Sequence, residues 1–98
     1  MLFMQGDNMP LRFLTRLTKE QKGFVGFYVP RYVIQFYKLK PGRFQGGVTL
    51  EDGATTYCAL RLEGRGKKLY GKAPDTVGKP KMLAEVWFYR ESREPVTK

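Results

Sequence analysis

One proline divides this chain into two kinds of periodicity. Up to Pro30, and again beyond Gly42, apolar residues fall in short runs or alternate with polar ones, as in half-buried strands. Between them the spacing changes, and Val33, Ile34 and Tyr37 form an apolar stripe at i, i+1 and i+4. Proline suits the first position of a helix, where no amide donor is needed, so Pro30 to Lys38 is expected to be helical. Leu39 continues the burial, and Pro41-Gly42 ends the element. The pattern predicts a mainly β fold with one short helix, a small barrel or sheet.

The strands follow from the same alternation. Leu11, Phe13, Thr15 and Leu17 share one face, with Arg12 and Arg16 on the other, which predicts a half-buried strand with a basic outer side. Thr18 to Gly23 is polar and reads as a hairpin loop carrying Lys19 and Lys22. Phe24 to Val29 is β-branched and aromatic, a second strand in which Gly26 marks a bulge or a close backbone approach. Arg43 to Leu50 reads as a strand with a bulge at Gly46-Gly47, and Glu51-Asp52-Gly53 as a tight turn into a strand from Ala54 to Leu62. A turn at Gly64-Arg65-Gly66, a short strand from Lys67 to Tyr70 and a long loop from Gly71 to Pro80 follow. Met82 to Tyr89 is the last strand, with Trp87 and Tyr89 on one face.

With 98 residues the chain is expected to make one domain over 10–90, between a flexible leader at 1–9 and a charged tail at 91–98. The leader has Asp7 where a secretory signal would be basic, and no apolar run approaches the roughly 20 residues of a membrane-spanning helix. A small domain also gains from pairing with a second copy, so a homodimer is expected. The single cysteine, Cys58, has no partner in the chain for a disulfide, which suits a reducing, cytoplasmic setting, and its apolar surroundings favour a buried small hydrophobe. With one Cys and no His, neither a metal site nor a nucleophile–base pair is expected, and the nine carboxylates form no recognisable pair. No cofactor is implied, and an enzyme is not expected.

Charge is the compositional signal with the sharpest consequence. Lys and Arg number 18 against nine Asp and Glu, a formal charge of +9 and a sequence pI near 9.9. Such a surface attracts polyphosphate, because each neutralised phosphate releases condensed counterions. More than half of the net charge falls between Arg61 and Lys81, where Arg61, Arg65, Lys67, Lys68, Lys72, Lys79 and Lys81 face only Glu63 and Asp75. Arg65, Lys67 and Lys68 on a turn, and Lys72 in the loop after it, read as phosphate clamps. Tyr32, Phe36 and Tyr37 sit at helical spacing and are read as core or dimer contacts. Trp87, Phe88 and Tyr89 are read as buried, although they are also the best handle for stacking on single-stranded bases.

The stretch from Gly23 to Gly42, with Val29-Pro30-Arg31, the helical segment and Leu39-Lys40-Pro41-Gly42, resembles the AbrB/SpoVT-type swapped-hairpin DNA-binding family. The resemblance runs from Gly23 to about Leu62. Gly23-Phe24-Val25-Gly26 replaces the family's usual Gly-Arg entry, the helix carries bulkier aromatics, and the chain continues past the point where the family typically stops. That extension makes a cradle-loop pseudobarrel closed within one chain the neighbouring expectation. What the resemblance implies is a DNA-binding transcription regulator or chromatin-like architectural factor, with double-stranded DNA as partner. Arg12, Arg16, Lys19 and Lys22 from the first hairpin and Arg31 at the helix start would carry the contacts. An RNA-binding or ribosome-associated protein, and an antitoxin-like protein-interaction module, are the alternatives.

Overall fold

A computed structural model describes residues 9–19 and 22–95. Among the described residues the chain forms seven strands, one more than the alternation predicts, and one α-helix: β1 (Leu11–Arg16), β2 (Thr18–Lys19), β3 (Phe24–Tyr28), α1 (Arg31–Tyr37), β4 (Gly42–Leu50), β5 (Thr55–Arg65), β6 (Lys68–Pro74) and β7 (Leu83–Phe88). They form one antiparallel sheet in the order β1-β7-β4-β5-β6-β3-β2, curled into a half-barrel.

The curl has a simple covalent cause. Its two edge strands are consecutive in the chain, separated by Leu17 alone, so one bent segment pairs with β7 through its first half and with β3 through its second. Leu17 sits at the joint, almost fully buried, and its backbone bonds both ways to the segment entering β7: its amide donates to the Met82 carbonyl at 2.9 Å, and its carbonyl accepts from the Lys81 amide at 2.6 Å. Across the remaining gap the Thr15 hydroxyl donates to the Tyr28 carbonyl at 3.1 Å.

Inside the curl the inward-facing residues make one core. Phe13 packs between Phe27 (ring centroids 6.2 Å apart) and Phe88 (6.3 Å), and Phe88 packs on Phe44 at 4.6 Å. Val25, Val48, Leu60, Leu62, Leu69, Ala73, Ala84 and Val86 fill the space between them. The helix adds Val33, with Ile34 and Tyr37 half-buried against the same core. The Pro30 carbonyl accepts from the Val33 and Ile34 amides. Lys38 closes the helix in the left-handed conformation (φ 53°), after which Pro41 prevents its extension.

Several local expectations change once register is known. Thr18-Lys19, read as loop, is strand, because Thr18 finds Gly26 opposite and Lys19 finds Val25; Glu20 and Gln21 lie outside the described residues. Gly46 and Gly47 form no bulge: they pair in unbroken register with Cys58 and Tyr57 on one side and with Phe88 and Trp87 on the other. Their reason is space. A Cβ on Gly46 would lie 2.6 Å from Phe88 Cα, and one on Gly47 would lie 2.5 Å from Trp87 Cζ2. The turn placed at Gly64-Arg65-Gly66 falls later, at Gly66-Lys67, with Gly66 taking the positive φ (64°). The loop predicted from Gly71 is strand up to Pro74. Gly71 sits under the Phe27 ring, and Pro74 is tolerated as the last residue of β6. Tyr32 (67% exposed) and Phe36 (76%) stand outside the core, since the buried helix face is only as wide as Val33, Ile34 and Tyr37.

Of the leader expected at 1–9, residues 1–8 lie outside the described residues. At the other end, Arg90–Ser92 forms a single 3-10 turn, and Glu94 bridges to Arg43 through both of its backbone groups. Cys58 is half-buried and packed against the core, and burial pushes its thiol pKa up. Among the described residues no helix is long and apolar enough to cross a membrane.

Candidate nucleic-acid interface

Because side chains alternate along a strand, burying Phe44, Leu60, Leu62 and Ala73 turns Arg43, Arg61, Glu63 and Lys72 outward. Register then aligns the cations. Arg43 lies opposite Arg61, Arg61 opposite Lys72, and the row continues through Gly26 to Thr18. At the tip of the β5–β6 hairpin Arg65 likewise faces Lys68. Like charges directly opposite one another destabilise a sheet. Glu63 compensates within the row: its Oε2 lies 3.1 Å from Arg61 Nε and 3.4 Å from Lys72 Nζ.

Aromatic rings interleave with these cations. The Arg65 guanidinium sits 3.8 Å from the Tyr70 ring centroid, Lys68 Nζ 5.6 Å from that of Tyr28, and Lys72 Nζ 5.8 Å from that of Phe24. Tyr28 and Tyr70 pack edge to face at 4.7 Å, and the Tyr70 and Thr18 hydroxyls are 3.1 Å apart. Gly26 makes room for this arrangement, since a Cβ there would overlap the Tyr70 hydroxyl. Rings of this kind hold long, flexible cations in place over the sheet.

Three shallow pockets run across this outer face. One of about 510 Å³ is lined by Lys19, Lys22, Phe24, Asp75 and Lys79, and one of about 320 Å³ by Phe24, Arg43, Ala59, Arg61, Glu63 and Lys72. A third, of about 340 Å³, is lined by Gln45, Tyr57, Cys58, Ala59, Trp87 and Tyr89. Phe24 borders the first two and Ala59 the last two, so the pockets adjoin in series from β2 to β7 as a trough partitioned at those two side chains.

Of the residues expected to contact nucleic acid, Lys19, Lys22, Arg65, Lys67, Lys68 and Lys72 belong to the trough or to the hairpin beside it. Lys72 is not the flexible loop clamp predicted from sequence: it is central in β6, its side chain 18% exposed and ion-paired. Arg31 begins α1 two residues after Val29, whose amide bonds the Leu69 carbonyl, so the helix start lies beside the β5–β6 hairpin. Arg12 and Arg16 lie on the edge strand β1, away from this row. Arg12 is 3.7 Å from Glu85, and Arg16 donates to the Lys81 carbonyl at 3.0 Å.

Arg43, Phe24, Tyr28 and Tyr57 are not among the residues the sequence picks out, and Arg61 is counted there in the basic stretch without a contact role. Alternation places each on the outer face, but only strand pairing shows that they adjoin. Compared with known proteins, the chain matches no family model, no curated protein and no solved structure.

Proposed function

We propose that this chain is a non-enzymatic nucleic-acid-binding protein that holds a phosphate backbone on the outer face of β4, β5, β6 and β3. One observation carries the reading: Arg43, Arg61 and Lys72 stand in register on three adjacent strands, with Arg65 opposite Lys68 beyond them. A free protein gains nothing from such a row, whereas a polyanion laid across it neutralises the repulsion and releases counterions. The cation–π pairs support the same reading, because they hold the charges ready over the sheet before a ligand arrives. Contacts of this kind supply affinity and position. This reading centres the contacts on the middle of the sheet, where register makes the cations neighbours, and gives Arg12 and Arg16 of the first strand no part in the row.

The test is a salt titration of binding to a duplex DNA, a single strand and a structured RNA, comparing the native chain with the Arg43→Ala/Arg61→Ala variant. The native chain is expected to bind with a steep negative slope of log affinity on log salt. The double variant should flatten that slope by about 0.9 per lost phosphate contact on a duplex and about 0.7 on a single strand. An unchanged slope would remove the row from the interface, and no binding to any of the three would overturn the proposal.

A further inference from the structure

The far end of the trough has a chemistry that backbone contacts do not use. Beyond Ala59 the basic row gives way to Tyr57, Trp87 and Tyr89, all on the same outer face. Tyr57 is 79% exposed and stands edge to face on Trp87 at 5.4 Å, with Tyr89 against Trp87 at 6.3 Å. Trp87 is locked from below: its ring lies over Gly47, where even a methyl group would collide, and its Nε1 donates to Thr49 Oγ1 at 3.2 Å. Thr49 Oγ1 is itself 2.9 Å from Thr55 Oγ1. Tyr57 is therefore an exposed aromatic plane on a rigid support, and Gln45 lines the pocket beside it with an amide.

We infer that the trough takes a single-stranded nucleic acid, with its phosphates on Arg43, Arg61 and Lys72 and an unstacked base on Tyr57; this rests on the nucleic-acid reading above. Continuity and charge choose the occupant. Ala59 is a wall of both the basic and the aromatic pocket, and Tyr57 is four residues along β5 from Arg61, about 13 Å at the rise of a strand. A chain whose anionic backbone alternates with flat, unpaired bases offers both chemistries at that spacing. A duplex keeps its bases paired and stacked, out of reach of a ring standing on a sheet. Aromatic planes along a basic groove are the usual means of holding single strands without reading their sequence.

The test uses a short oligothymidylate, an oligouridylate and a duplex of matched length, with Tyr57→Ala and Tyr57→Phe set beside Arg43→Ala/Arg61→Ala. Tyr57→Ala is expected to weaken binding of both single strands by about five- to hundredfold and to leave the salt slope intact. Tyr57→Phe should bind as the native chain does, and duplex affinity should not change with either. Trp87, the only tryptophan, reports directly: single strands should quench its fluorescence and the duplex should not. If Tyr57→Ala binds single strands normally while the double arginine variant loses them, the stacking site is wrong and the phosphate face stands. If the native chain binds no nucleic acid, both fall. Because Tyr57 is so exposed, its replacement should not unfold the sheet, and circular dichroism checks that.

Discussion

Gly71 lies in close contact with the Phe27 ring inside the core, and substituting Gly71 by alanine tests that contact. Gly71 is in the interior of β6, paired with Phe27 on β3 and with Leu62 on β5. A Cβ added there would collide with Cζ and Cε1 of the Phe27 ring and lie 2.6 Å from its Cε2. The ring has nowhere to go: Phe27 is fully buried, with Phe13 packed against it. Overpacking of this kind costs about 1–3 kcal/mol. Against it stands a gain of about 0.4–1 kcal/mol, because Gly71 does not have a positive φ and alanine restricts the unfolded chain more than glycine does. The midpoints leave a net loss of about 1.3 kcal/mol, which lowers the melting temperature of a domain this size by about 5–10 °C. Thermal and urea unfolding of Gly71→Ala, Phe27→Leu and the double variant supply the assay. Leucine withdraws the ring, so Gly71→Ala should cost less in the Phe27→Leu background, with a coupling of at least about 0.5 kcal/mol. Strictly additive losses, or a Gly71→Ala variant that melts with the native chain, would refute the collision.

Two further outcomes follow from the same geometry. Glu63→Gln removes the carboxylate held by Arg61 and Lys72, so nucleic-acid affinity should rise about two- to fivefold at low salt while stability falls by no more than about 1 kcal/mol; weaker binding would show that Glu63 helps to position the ligand. Burial raises the Cys58 pKa, so on raising the pH through the ordinary thiol range the unfolded chain loses this proton first and stability declines; below that range the contribution is complete. Cys58→Ala should flatten that alkaline decline, read from urea midpoints at successive pH values, and an identical decline in the variant would count against it.

Much of the fold is legible in local sequence because strand and helix periodicities are local properties. The alternation of Leu11, Phe13 and Leu17 against Arg12 and Arg16, the single helix after Pro30, and the turn at Asp52-Gly53 all appear where their residue types require them. Glycine is where that reading went astray, since a strand glycine marks a breaker, a bulge or a close approach with the same letter. At Gly46, Gly47 and Gly71 the answer is close approach, and what approaches is a ring or a strand distant in sequence.

The sequence by itself determined the class of structure, the inward and outward faces of the first strand, and the strong positive charge. Tertiary structure alone decided which outward residues are neighbours. A period of two assigns a side chain to a face, but the register between strands depends on contacts far apart in the chain, such as Arg61 with Lys72 or Gly47 with Trp87. Closure is likewise a long-range matter: Leu17 reads as one more buried residue until the segment around it is seen to pair with both β7 and β3. The basic row and the aromatic platform of the proposed interface come from that register. Their charges and rings are written in the sequence, and their adjacency is a product of folding.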